Sequence, residues 1–176
     1  SKNSYITGWI PNYPYTWLDV GVRCMRLNWL KYPWNIPEAR RGLSYLIDRQ
    51  QVVNIALDGA GHPSLWFTDS AVVQTYLDAI SDLMTKYEPL AYNVDKANAI
   101  FTSLGWTKGG DGIWVTDNGT RVTCEIVAWV DHIPDVKIGT VVTSNLMAGG
   151  IDATFKPQMP ATLEQYTQTG LFTGAI

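Results

Sequence analysis

The chain of 176 residues is long enough for one domain with a substantial core, since single domains commonly contain about 100 to 150 residues. Hydrophobic residues make up 46% of the sequence and charged residues 16%, a balance that excludes intrinsic disorder. The net charge of -3, with no cluster of lysines or arginines, argues against a nucleic-acid partner, and no apolar run is long enough to span a membrane.

The first twenty residues are predicted to form an irregular segment. Aromatic residues alternate there with Pro11 and Pro14, and prolines at this spacing interrupt a helix. The stretch 21–30 that follows is rich in β-branched and apolar residues, so we expect a strand.

Four helices are predicted next. Pro37 suits the first turn of a helix, and Asp48 followed by Gln51 has the spacing of a capping pair, so a second helix begins there and ends at Gly59 and Gly61. Apolar residues at helical spacing predict a helix from Ser70 to about Met84. The fourth helix is capped by Asn93 and stopped by Gly105.

The remaining elements alternate between strands and helices. Asn118-Gly119 predicts a hairpin that joins strands at 113–116 and 121–130, because both turn positions tolerate positive φ. A helix at 134–148, a strand from Ile151 to Phe155, a short helix at 160–169 and a strand at 171–176 follow. A strand, helix and strand in this order form a βαβ unit, so the predicted fold is α/β with a mixed sheet and flanking helices.

One loop is nominated as a ligand site by its position. In open α/β sheets ligands bind beyond the carboxyl ends of the strands, which here places Trp129, Asp131 and His132 at a site. Trp129 would stack on a ligand while Asp131 and His132 form hydrogen bonds. The alternative is that Asp131 caps the following helix and His132 is merely solvated.

The eight tryptophans favour sugar as the ligand. A flat indole buries the C–H face of a sugar ring, and neighbouring polar groups meet its hydroxyls. Trp106 and Trp114 are assigned to the core, and the alternative for each remaining ring is packing in the core or against another lobe. The rings in loops or at strand ends are Trp9, Trp17, Trp29, Trp34, Trp66 and Trp129.

Catalysis and metal binding find no support in the sequence. No pair of carboxylates is marked out for glycoside hydrolysis, and the HExxH and GxSxG motifs are absent. Cys24 and Cys124 match no metal spacing and are expected to be buried free thiols, with a disulfide as the alternative. We expect no cofactor and no metal.

Residues 26–49 resemble the signature region of the family 5 extracellular solute-binding proteins, the oligopeptide and oligosaccharide receptors of ABC importers. The resemblance lies in Leu27-Asn28-Trp29, the Pro33-aromatic-Asn35 turn, and the run from Pro37 to Arg49. It continues through the stretches around Asn93, Leu104-Gly105-Trp106, Asp111 to Trp114, and Gly150-Ile151, and so covers most of residues 20–176.

This resemblance implies one lobe of a type II periplasmic-binding-protein-like fold, fragmentary, with residues 1–20 on the hinge side and 21–176 as the ligand-binding lobe. It implies a second lobe and the ABC importer's membrane subunits as partners, and an extracellular or periplasmic location with lipid anchoring as an option. The expected function is capture of an oligosaccharide between the lobes; an oligopeptide ligand and a carbohydrate-active enzyme domain are the alternatives. The predicted ligand-binding residues are Trp29, Lys31, Trp34, Trp66, Trp129, Asp131, His132 and Met159.

Overall fold

The computed structural model describes residues 22–64 and 74–176. The irregular segment predicted for residues 1–20 and the candidate Trp66 lie outside the described residues. In chain order the elements are β1 (Arg26–Leu27), α1 (Pro37–Tyr45), α2 (Arg49–Ala56), α3 (Gln74–Ala79), α4 (Ser81–Tyr87), α5 (Val94–Ser103), β2 (Thr107–Lys108), β3 (Trp114–Val115), β4 (Thr123–Trp129), α6 (Ile133–Ala148), β5 (Asp152–Gln158), α7 (Pro160–Thr169) and β6 (Gly174–Ala175).

A mixed four-stranded sheet in the order β1-β6-β4-β5 organises the fold. β4 runs parallel to β5 along its whole length, from Thr123 opposite Asp152 to Trp129 opposite Gln158. β6 is also parallel to β4, whereas β1 pairs antiparallel with β6. The predicted α/β fold with a mixed sheet and βαβ units is therefore confirmed.

The core lies on the face of the sheet that is covered by α6. Ile126 and Leu146 are fully buried, and the ring of Phe155 lies so close to Gly139 that a side chain there would collide with it. α7 covers the opposite face only in part, since none of its residues is buried. The buried apolar cluster extends from the sheet to α1 and α5 and includes Trp34, Leu43, Phe101, Trp106 and Trp114.

Several predicted helix boundaries are confirmed. The Asp48 carboxylate accepts a hydrogen bond from the Gln51 backbone N–H at 2.9 Å, and the Asn93 side chain accepts one from the Lys96 N–H at 2.9 Å. Both contacts satisfy backbone donors that the first turn of a helix leaves free. The second helix ends at Ala56, shortly before Gly59.

The helix predicted from Ser70 to Met84 is wrong in its described part. The chain forms two short helices, α3 and α4, which are separated at Ile80. Tyr76 is 74% exposed and Leu83 45% exposed, so the predicted apolar stripe is not packed against a core. Without such packing, nothing holds a long helix together across Ile80.

The hairpin predicted around Asn118-Gly119 forms, but the strands pair over a shorter stretch than predicted. β3 pairs with β2 on one side, and on the other side a bridge joins Val115 to Arg121 and the Val122 N–H donates to the Trp114 carbonyl at 2.9 Å. This pairing ends before β4 begins at Thr123, and β4 itself pairs with β5 and β6. The turn itself forms, with Gly119 at a φ of 83° and Asn118 at a negative φ.

The strands β1 and β6 are shorter than predicted. β1 contains two residues of the stretch 21–30, and β6 two residues of the stretch 171–176. The Asn28 N–H still donates to the Thr173 carbonyl at 2.8 Å, after which the chain turns away. Within the described ranges, no helix has the length and apolar character needed to cross a membrane.

Candidate functional site

The carboxyl ends of β4 and β5 bring four of the predicted site residues to one edge of the sheet. Trp129 ends β4 and is 44% exposed, and Met159 follows β5 and is 59% exposed. The Val130 N–H donates to the Gln158 carbonyl at 2.9 Å, which ties the two strand ends together. Asp131 and His132 follow at once. Trp129, Asp131, His132 and Met159 are thus neighbours in the structure.

His132 lies between the indole of Trp129 and the first turn of α6. The two rings are 6.5 Å apart between centroids with an interplanar angle of 28°. His132 is the residue before α6 and forms no side-chain cap, and Asp131 is exposed. The alternative in which Asp131 caps the helix is therefore wrong.

Asp135 is a residue of this site that the sequence analysis missed. It is only 7% exposed, and its carboxylate lies 3.0 Å from Nδ1 of His132 and 3.4 Å from Nη1 of Arg23. The spacing of three residues between His132 and Asp135 at a helix start was the available signal, because residues three apart share one face of a helix.

The face of the sheet that carries Trp129 is polar as well as aromatic. Register places Glu125 on the same face of β4, and Lys156 and Gln158 on the same face of β5. Lys156 forms an ion pair with Glu125, and the hydrogen bond from its ammonium to that carboxylate raises the pKa of Lys156. An aromatic surface next to charged and amide groups offers both stacking and hydrogen bonding to a ligand.

Trp34 must be removed from the predicted site. Its ring is 1% exposed and its indole N–H donates to the Thr123 carbonyl at 3.1 Å, so it has no face to offer to a ligand. Trp34 lies in the turn before α1 and fills the space between that turn and the start of β4. The loop position of this tryptophan in the sequence was a misleading signal.

Trp29 and Lys31 lie towards the other end of the sheet. β1 is antiparallel to its neighbour, and register puts Asn28 level with Glu125, four residues before Trp129. That separation is ~13 Å along the strands. Trp29 is 66% exposed, and the Lys31 ammonium donates to the Leu171 carbonyl at 2.6 Å. The structure therefore does not bring these two residues together with the other candidates.

A groove of about 620 Å³ opens beside the site, between α1, α2 and α6. Its walls are mainly apolar, and Arg23 and Pro134 connect it to the loop that precedes α6. Arg49 donates to the Ser44 carbonyl and hydroxyl at 3.1 and 2.7 Å, and burial lowers the pKa of its guanidinium. This cation is thus satisfied by neutral oxygen atoms.

The two cysteines are free thiols, as predicted, but only Cys124 is buried. Burial raises the pKa of the Cys124 thiol to about 12, so it stays protonated. Cys24 is exposed, which corrects the expectation that both thiols are buried. Among the residues that the structure describes, no group of three His, Cys, Asp or Glu side chains is arranged to hold a metal ion.

A family model and a related bacterial sequence both match this chain. The family model described as bacterial extracellular solute-binding proteins, family 5 Middle, matches residues 5–173. A probable ABC transporter-binding protein of Deinococcus radiodurans is 34% identical over 89 residues, which are 50% of this chain and 14% of that protein.

Solved structures show the same fold. A periplasmic oligopeptide-binding protein of Thermotoga maritima with bound mannohexaose has a TM-score of 0.76 at 21% identity, over 96% of this chain and 31% of that one. The oligopeptide-binding protein AppA of Bacillus subtilis, in complex with a nonapeptide, has a TM-score of 0.66 at 18% identity, over 86% of this chain and 29% of that one. The chain spans about a third of the length of these proteins.

Proposed function

Because the chain belongs to family 5 of the bacterial extracellular solute-binding proteins, we propose that it forms one lobe of an ABC importer's receptor and captures an oligosaccharide between two lobes. The observation that carries this proposal is the exposed indole of Trp129 at the carboxyl end of β4, next to His132 and Asp131. Ligands of open α/β sheets bind at this edge.

The choice of a sugar rests on the chemistry of that edge. Trp129 offers an apolar plane, and Asp131, His132 and Gln158 offer donors and acceptors at its border, a combination that matches the faces and hydroxyls of a hexose. A similar fold from Thermotoga maritima holds mannohexaose. Met159 lies beside this surface, and Trp66 stays a prediction because it is outside the described residues.

An oligopeptide is the second candidate ligand. The Bacillus subtilis protein of similar fold holds a nonapeptide, and the Thermotoga maritima protein is itself named as an oligopeptide-binding protein. The N–H and carbonyl groups of a peptide backbone can form hydrogen bonds with Asp131 and Gln158, as the hydroxyls of a sugar can. The two ligands differ in how much they need the Trp129 ring, since stacking dominates sugar recognition.

The proposed mechanism is reversible closure of two lobes without covalent chemistry. Closure removes water from the ligand and delivers the closed receptor to the importer's membrane subunits, at an extracellular or periplasmic location where a lipid anchor would hold it at the surface. The family and the fold are those of binding proteins. Turnover of labelled oligosaccharides that one carboxylate substitution abolishes would instead favour a carbohydrate-active enzyme.

Substitution of one exposed tryptophan at each end of the sheet tests the proposal. In the full-length receptor, Trp129→Ala should weaken mannohexaose binding by ~1–2 kcal/mol, about 5- to 30-fold, in a calorimetric titration. Trp29→Ala, which removes a ring that is 66% exposed at the other end, is the matched control and should leave the affinity unchanged.

The same titration with trialanine separates the two ligand classes. Heat of binding with mannohexaose and none with trialanine supports the sugar. The reverse result assigns the site to peptides and contradicts the choice of sugar. A loss of affinity in Trp29→Ala but not in Trp129→Ala would show that the ligand binds at the opposite end of the sheet, which would contradict this proposal.

A further inference from the structure

Asp135 is the one charged side chain among the buried polar residues of the described ranges. A carboxylate that is 7% exposed has lost most of its hydration, and such a group persists in a core only where other groups compensate for the loss. The two carboxylate oxygens of Asp135 have separate neighbours: Oδ1 faces Arg23 and Oδ2 faces His132. Asp135 therefore connects the segment before β1 with the loop after β4.

The contact between Asp135 and His132 is close without being a well-aligned hydrogen bond. Nδ1 of His132 lies 3.0 Å from Oδ2, yet it belongs to the buried polar atoms that have no hydrogen-bond partner. A buried donor or acceptor left in this state requires an explanation, because an unmade hydrogen bond in the interior is costly. Functional hydrogen bonds are often misaligned without ligand and become aligned when the ligand binds.

We propose that Asp135, backed by Arg23, is a positioning residue for the ligand-contacting pair Trp129 and His132. The carboxylate holds the proton of the neutral imidazole on Nδ1, which leaves Nε2, on the far side of the ring, as an acceptor for a ligand hydroxyl or amide N–H. The orientation of the imidazole in turn supports the indole that lies against it. This inference rests on the proposed function.

The charges around this pair are consistent with that role. Arg23 lies 3.4 Å from the carboxylate and balances its charge on the side away from His132. Asp131 is exposed and stands in the loop rather than against the helix. Asp135 therefore contacts a cation through one carboxylate oxygen and His132 through the other.

A double-mutant cycle measures the positioning role with mannohexaose and trialanine as probes. Asp135→Asn in the full-length protein should weaken binding of the accepted probe by about 3- to 10-fold. In a His132→Gln background the same substitution should have no further effect, because the residue through which it acts is gone. An equal loss in both backgrounds would show that Asp135 is merely structural and overturn the inference.

A measurement without ligand keeps this inference separate from the proposed function. Nitrogen-15 NMR of histidine-labelled protein should show the proton of His132 on Nδ1 in the wild type, and a change to the Nε2 tautomer or a mixture in Asp135→Asn. Asp152→Asn, which removes another ion-paired carboxylate at the start of β5, is the control and should leave the tautomer unchanged. A His132 proton on Nε2 in the wild type overturns the inference even if both probes bind.

If neither probe binds to the wild-type protein, the proposed function fails while the NMR result still decides the role of Asp135. Retained thermal stability of Asp135→Asn is checked by circular dichroism. If that variant does not fold, the tautomer of the wild-type protein decides alone: a proton on Nδ1 supports the inference and a proton on Nε2 overturns it.

Discussion

Trp34 and Trp129 both lie next to strands or turns, yet their substitution should change the stability of the protein by very different amounts. Trp34→Ala removes a ring that is 1% exposed together with its hydrogen bond to the Thr123 carbonyl. We expect a loss of ~3–5 kcal/mol in the free energy of unfolding, measured by urea denaturation. Trp129→Ala should lose less than ~1 kcal/mol in the same experiment, and equal losses would contradict the assignment of Trp129 to an open surface.

The two thiols should also differ in reactivity, because Cys124 is buried and Cys24 is exposed. A thiol reacts as its thiolate, and burial raises the pKa of Cys124 to about 12, so an aromatic disulfide reagent at pH 8 should modify Cys24 alone. The raised pKa contributes stability below about pH 9, the ordinary value, and that contribution is lost as the pH rises towards 12. Cys24→Ser should abolish labelling, and labelling of Cys124 in the folded chain would contradict the buried state.

At this scale, the sequence predicted that Trp129 and His132 lie at the end of a strand, as they do, but it did not predict what surrounds them. Trp129 and His132 follow from the rule that ligands bind beyond carboxyl ends of strands. The burial of Trp34 depends on the path of the turn before α1, which no local pattern specifies. Asp135 was overlooked because a buried carboxylate is recognised by its partners, and Arg23 is distant in sequence.

The contact between α1 and α5 gives a test at the scale of elements. Gly42 in α1 faces Phe101 in α5, and a Cβ built on Gly42 would lie 2.5 Å from the Phe101 ring. That ring cannot move aside easily, since it is stacked on Trp106 at 4.9 Å and meets the edge of Trp114 at 5.3 Å. Gly42→Ala should therefore cost ~1–3 kcal/mol of unfolding free energy, measured by denaturant titration.

Gly110 is the matched control for Gly42. A Cβ at Gly110 would meet no atom within 4 Å, so Gly110→Ala should change the stability by less than ~0.5 kcal/mol. A neutral Gly42→Ala would mean that the two helices are further apart than described. A costly Gly110→Ala would mean that the effect comes from the loss of glycine and not from helix packing.

The elements that were predicted correctly are those with strong local determinants. Asp48 and Asn93 cap their helices, and the glycines after α6 stop it where the pattern indicates. The differences arose where neighbouring elements decide: none of the described residues of α4 is buried, and the pairing beyond the Asn118-Gly119 turn ends before β4 begins. Strand pairing is a long-range property, so a turn sequence alone does not determine it.

At the scale of the whole molecule, the family resemblance predicted the fold and the lobe, whereas local patterns alone would have given only an α/β domain. Neither the family resemblance nor the local patterns predicted that the exposed tryptophans lie at two different ends of the sheet. It follows from the antiparallel entry of β1 beside β6, which carries Trp29 away from the edge where Trp129 lies. Whether two strands pair parallel or antiparallel depends on the packing of the complete sheet.

The open edge of this sheet predicts that the chain alone is an incomplete binding unit. A cleft commonly buries 70–90% of its ligand, and one wall that bears the exposed Trp129 and Met159 covers about half of that. The chain also spans 31% of the Thermotoga maritima protein whose fold it shares. The isolated 176-residue chain should therefore bind mannohexaose at least ~100-fold more weakly than a full-length receptor that contains it, a difference of ~2.7 kcal/mol.

Calorimetry on the two proteins measures this difference, and circular dichroism of the isolated chain confirms that weak binding is not the result of unfolding. Trp129→Ala belongs in both titrations, because a contact made by this wall should be lost from either protein. Nanomolar binding by the folded isolated chain would contradict the two-wall site, since the ligand would then be held by this lobe alone. A full-length receptor that is insensitive to Trp129→Ala would instead place the ligand on the other lobe.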